Sequence, residues 1–190
     1  MPSNSAARRS TGWGIVGDKT ESVPHHLLVM MTWERTTREG RNTMETNRAT
    51  ELMAESYVCS ESVLLATCEE FGIEVDEKVI PRIAYAFAGG VGNTGAVCGA
   101  VAGAVMAIGL IKGRGETMEE MFGVLGLAAE FRKRFEAEKQ TINCRELTGI
   151  DLTMPEGIEQ LMNSDTPQTV CFPAVATAHR LVVDLLKETS

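Results

Sequence analysis

Residues 84 to 111 carry no charged side chain, and within them the stretch GNTGAVCGAVAGAVMAIG (92–109) holds five glycines and one cysteine, Cys98. Few folds accept such a run. A membrane-spanning helix needs about 20 continuous apolar residues, but this run is interrupted by Gly89-Gly90, Gly92, Asn93 and Gly95. What remains is mostly Ala and Gly, which are weakly hydrophobic. The run therefore predicts a buried central helix with no membrane insertion, entered through a glycine-broken turn. Gly99, Gly103 and Ala107 recur four residues apart, so they share one helical face and let a neighbouring backbone approach closely. Gly92 and Gly95 read as turn residues with positive φ.

Helical signals continue on both sides. Periodic sequence runs from about Thr46 to Phe71 and stops at Gly72, a common left-handed helix terminator. A second helix is expected from Asp76 to Gly89-Gly90, and the third from after Asn93-Thr94-Gly95 to about Lys112, before Gly113 and Gly115. Thr117-x-x-Glu120 is a capping box opening a helix with Met118, Met121, Phe122, Leu125 and Phe131, which closes on Arg132-Lys133-Arg134. A short turn around Asn143–Leu147 and a loop with Pro155 follow. The last helix is expected near Pro173, with Val175, His179, Val182 and Leu186 on one stripe. No alternating strand pattern of useful length occurs, so the fold class is all-α, a compact bundle of about five main helices.

Residues 1–45 lack periodicity and are rich in Ser, Thr, Arg and Gly, and read as a disordered extension before a folded domain of residues 46–190. The apolar run Leu27–Met31 is too short for an export signal, which predicts a cytoplasmic protein. Met44 begins the periodic sequence, so the preceding residues read as a mis-assigned start; intact mass of the native protein tests this. Residues 1–48 hold seven Lys and Arg against five Asp and Glu, leaving eleven against twenty-one in the rest. Such an acidic domain without a basic stripe is unsuited to a phosphate backbone, which excludes nucleic acid as a partner. GVGNTG follows no strand and precedes no Gly-Lys-Ser/Thr, which excludes a nucleotide loop.

The five cysteines are Cys59, Cys68, Cys98, Cys144 and Cys171. No two are separated by two residues, so neither a zinc ribbon nor a haem-attachment site is written in the spacing. Scattered cysteines are ordinarily small buried hydrophobes. Position argues for more. Cys98, Cys144 and Cys171 fall at expected helix N-termini, where free amides favour a thiolate. Cys59 is expected inside the first helix, sharing a face with Leu52, Ser56, Val63 and Ala66. Cys68 lies nine residues on, on the opposite side of that helix, in a packing stripe with Met53, Tyr57, Leu64 and Phe71. His25 and His26 read as solvated, His179 as a packed histidine, and the pairs Glu69-Glu70 and Glu119-Glu120 as solvated faces.

The order of a lone cysteine in YVCSESVLLA, a glycine-rich turn into Cys98-Gly99-Ala100-Val101-Ala102-Gly103, a cysteine in INCRELTG and a last one before the terminal helix resembles the redox-active C-GCAxxG-C-C proteins. The resemblance runs over roughly residues 51 to 187 and includes AFAGGVGNTG, VMAIGLIKG and FRKRFE. It places the four family cysteines on Cys59, Cys98, Cys144 and Cys171, the set the helix geometry also selects. It implies a redox protein, since the same four-cysteine module occurs in split-Soret cytochromes beside an iron–sulfur centre. The extra Cys68 and the N-terminal extension depart from the pattern, and without haem-attachment motifs the cytochrome role does not carry over.

Three readings follow. Four thiolates at Cys59, Cys98, Cys144 and Cys171 complete the shell of a [2Fe–2S] or [4Fe–4S] cluster for electron transfer with a redox partner protein; zinc in the same shell would be structural. A metal-free pair would instead cycle as a disulfide, Cys98 attacking and Cys144 or Cys59 resolving. In the third, the cysteines only pack a structural or partner-binding bundle. Glycine-faced helices suit a homodimer.

Overall fold

The structure is a computed structural model that describes residues 45–76 and 78–190. The expected extension, with His25 and His26, falls outside them apart from Glu45. Helices α1 (Arg48–Ala54), α2 (Cys59–Glu70), α3 (Val79–Tyr85), α4 (Ala88–Val91), α5 (Gly99–Lys112), α6 (Met118–Lys139), α7 (Cys144–Thr148) and α8 (Pro155–Asn163) precede a π-helical turn, Pro167–Cys171, that runs into α9 (Phe172–Glu188). Among the described residues, extended pairing is limited to the isolated antiparallel bridge between Val97 and Asn143. The all-α reading holds.

The central helix is α2 and not the charge-free one. Every residue from Ser60 to Cys68 is buried, with α5, α9, α3 and α1 packed around it. Its polar residues disguise this in the sequence. Each hydroxyl closes onto a carbonyl instead of seeking water: Ser60 to Ala84 (2.8 Å), Ser62 to Val58 (3.0 Å) and Thr67 to Val63 (2.7 Å). The charge-free helix α5 buries Ala100, Ala104, Ala107 and Ile108 against the core and leaves Val105 and Leu110 exposed.

Four other expectations are corrected. The first helix is two helices, because Ser56 takes φ 83 and Val58 is extended. A carboxylate oxygen of Glu61 then accepts the Val58 amide at 2.8 Å and restarts the helix at Cys59. The expected Asp76–Gly90 helix runs only from Val79 to Tyr85, and Gly89 and Gly90 adopt left-handed conformations within α4. Pro155 opens α8 as its first residue instead of sitting in a loop. The helix begun by the Thr117–Glu120 capping box continues past Arg134 to Lys139.

The stripe on α9 is as expected: Val175, Val182 and Leu186 are fully buried and His179 nearly so. Pro167–Glu188 is long and apolar enough to cross a membrane by length and composition, but its apolar side forms part of this core.

Candidate functional site

The site is assembled where α2, α5 and α7 begin. Gly99 and Gly103 give α5 its approach to α2. A β-carbon at Gly103 would overlap the Ser60 carbonyl oxygen and lie 3.2 Å from the Ser60 Cα. One turn earlier, a β-carbon at Gly99 would collide with Cys59 Sγ and stand 3.1 Å from the Phe87 carbonyl oxygen. The sulfur of Cys59 thus rests on the bare Cα of Gly99. The close helix contact expected from the spacing is present, and its partner is the start of α2.

The bridge couples the other two helix starts. The Cys98 amide donates to Ile142 and the Cys144 amide donates to Ala96, both at 2.7 Å. This register sets Cys98 and Cys144 each one residue beyond the bridged pair. Cys98 is the N-cap of α5, and Cys144 is the first residue of α7. Both are buried.

Ahead of Cys98 the chain makes a left-handed turn. Gly89, Gly90, Val91, Gly92 and Asn93 all have φ between 59 and 75. Its amides hold the segment together: Gly95 donates to Gly89 (3.0 Å) and Ala96 to Gly90 (3.1 Å). Val91 is unusual here, since a β-branched residue is strained at positive φ. The turn brings the Gly89 amide to Cys59. The amides of Gly89, Ser60, Gly99 and Cys59 itself all favour the ionised sulfur of Cys59, as those of Ala100 and Val101 do for Cys98.

Burial nonetheless dominates at all four thiols and pushes each above its ordinary value of 9.0: Cys144 to about 11, Cys171 to about 12, and Cys59 and Cys98 in the same direction. The expectation of thiolates favoured by helix N-termini is therefore corrected; the amides only partly offset desolvation. Charge on Cys59 further raises Cys98, Cys144 and Cys171, and Cys144 raises Cys98 and Cys171. Cys59 and Cys144 are thus each within electrostatic reach of the other three sulfurs. Cys68 does not join them: it is fully buried in the core, and its upward shift comes from desolvation and Glu69.

Cys171 is placed differently from the expectation. It ends the π-helical turn, where the Phe172 amide donates to Pro167, so it is inside a continuous run and not at a free helix end. Cys59, expected within a helix, takes the N-terminal place instead. All five cysteines are free thiols. Among the described residues, no group of three or more His, Cys, Asp or Glu side chains is arranged to hold a metal ion as it stands.

The family model described as "Putative redox-active protein (C_GCAxxG_C_C)" matches residues 57–185, and the chain belongs to that family. No curated protein and no solved structure matches it.

Proposed function

We propose that this redox-active protein holds an iron–sulfur cluster on Cys59, Cys98, Cys144 and Cys171 and passes electrons to a partner protein. The reading is supported by the meeting of three helix starts, which sets Cys59 Sγ against Gly99 and joins the Cys98 and Cys144 segments across the Val97–Asn143 bridge, with ionised Cys59 or Cys144 repelling charge on Cys171. Cations bound among them would relieve that repulsion and displace the thiol protons. The donor set is soft and suits iron–sulfur chemistry. The amides directed at Cys59 and Cys98 are hydrogen bonds of the kind that tune a cluster's potential. A bound cluster supplies one-electron transfer; the chain supplies four sulfurs, a dry surrounding and the amides. Because no three donors among the described residues are arranged for a single ion, the sulfurs would draw inward on loading. A reducing compartment such as the cytoplasm fits five free thiols.

The free thiols also support a second reading, in which Cys98 and Cys59 or Cys144 give two protons and two electrons to an acceptor disulfide and become a disulfide themselves. The raised thiols weigh against it, since exchange needs a thiolate. Anaerobic purification followed by iron, acid-labile sulfide and zinc analysis separates these. A cluster gives brown protein with matching iron and sulfide, lost in Cys59→Ser and Cys98→Ser but retained in Cys68→Ser. Colourless protein with one zinc, or with no metal and one defined disulfide after mild oxidation, overturns the cluster.

A further inference from the structure

Helix α6 spans 22 residues yet buries only Phe131 and Phe135 in the core. On its opposite side, Met118, Phe122 and Leu125 are 62%, 62% and 64% exposed, and Gly126 and Ala129 are exposed with them. At 100° per residue these five positions form one stripe with no charge in it. Soluble proteins scatter exposed apolar side chains singly, and a contiguous band of large ones marks an interaction surface. Nothing in the fold explains the glycine. A β-carbon at Gly126 would have no neighbour within 4 Å, so alanine would fit there and strengthen the helix.

The stripe is complementary to itself when reversed. We propose that α6 pairs antiparallel with α6 of a second copy of this chain, about a two-fold axis between Leu125 and Gly126. Leu125 then packs over the bare backbone of Gly126 in the other copy and Phe122 over Ala129, large against small at these central contacts, while Met118 lies along the aliphatic stem of Lys133. The flanks agree in charge. Glu119, exposed near the N-terminal end, meets the end carrying Arg132 and Lys133, which are 56% and 81% exposed and would share Glu119 with their own-helix partners Glu136 (2.8 Å) and Glu130 (3.7 Å). A parallel pairing would set Phe122 on Phe122, Glu119 on Glu119 and Lys133 on Lys133. Only the antiparallel arrangement satisfies size and sign together, and it is the isologous contact that closes a dimer.

Sedimentation velocity of the full chain between about 1 and 100 μM tests this. The expected species is a dimer of a 20.6 kDa chain. Leu125→Glu should yield a monomer with unchanged circular dichroism. Gly126→Leu should also yield a monomer while raising helix propensity, which separates lost pairing from lost folding. Glu119→Lys should weaken the dimer at least tenfold, and adding Arg132→Glu and Lys133→Glu should restore it. A wild-type monomer at 100 μM, as a face covered by another segment of the same chain or by a different protein would give, overturns the proposal. So does a dimer that survives both Leu125→Glu and Gly126→Leu.

Discussion

Gly103 of α5 meets Ser60 of α2 backbone to backbone, with the Ser60 Cα 3.2 Å from where a glycine replacement would put its β-carbon. Backbone cannot swing aside as a flexible side chain can. Gly103→Ala should therefore force the two helices apart and cost about 1–3 kcal/mol, read as a lower urea midpoint. Because Cys59 immediately precedes Ser60, the same variant should also displace that sulfur from the Gly89 and Gly99 amides. Gly109→Ala is the control: its β-carbon would have no neighbour within 4 Å, so stability should hold or rise. Equal losses in both variants would remove the close approach as the reason for Gly103.

The left-handed turn makes a second prediction. Val91 has φ 59 and is 44% exposed, so it contributes little packing while occupying a conformation that costs an L-residue about 1–2 kcal/mol. Val91→Gly should leave stability unchanged or raise it by up to about 1 kcal/mol, despite the entropy glycine loses on folding. Gly90→Ala should do the opposite, since its β-carbon would stand 2.6 Å from the Ala96 nitrogen and 2.7 Å from the Ala96 oxygen. Thermal melting of the two variants checks both signs. A stabilised Gly90→Ala would mean the turn is not left-handed in solution.

Much of this was legible because small residues announce themselves. The four-residue spacing of Gly99, Gly103 and Ala107 fixed the contact face of α5, and Thr117 with Glu120 fixed the start of α6. The break at residues 55–58 was hidden: it contains neither Gly nor Pro, and Ser56 supplies the left-handed residue. The available signal was Glu61, three residues after Val58, reaching back to its amide. Cys171 was misplaced for a related reason. Pro173 resembles a helix start, but Pro167 already opens the run. Pro173 has no amide to donate, and the hydrogen bonding beside it widens to Phe172–Pro167. Ser60, Ser62 and Thr67 are buried in α2 although polar, since hydroxyl bonds to backbone carbonyls are invisible in a polarity pattern.

The thiols of the metal-free, reduced chain should be poor nucleophiles at neutral pH. With Cys144 pushed to about 11 and Cys171 to about 12, iodoacetamide labelling at these two positions should accelerate about tenfold per pH unit. The rise should persist through pH 9.5, where a thiol at the ordinary value of 9.0 would already be levelling off. Site-resolved mass spectrometry of the labelled chain reads the rates. A plateau below pH 9 at Cys144 would show an ionised thiol and revive disulfide exchange as the chemistry of the site.

His179 predicts an acid limb to the stability curve that is separate from the cysteines. Its ring is nearly buried, and its Nε2 has no hydrogen-bond partner among the described residues. Desolvation lowers its affinity for a proton below the ordinary value of 6.5; Lys187 acts in the same direction, while the Ala66 carbonyl, Glu70 and Glu69 work against both. The unfolded chain therefore binds this proton more readily than the folded one. The contribution of His179 is complete well above pH 6.5 and declines as the pH falls through that value. Urea midpoints measured from pH 7.5 down to 5 should fall with the uptake of one proton on unfolding. His179→Leu should abolish that part of the slope, and at pH 5 it should be more stable than the wild type because no buried nitrogen is left to charge. An unchanged slope in His179→Leu would assign the acid limb to the surface carboxylates instead.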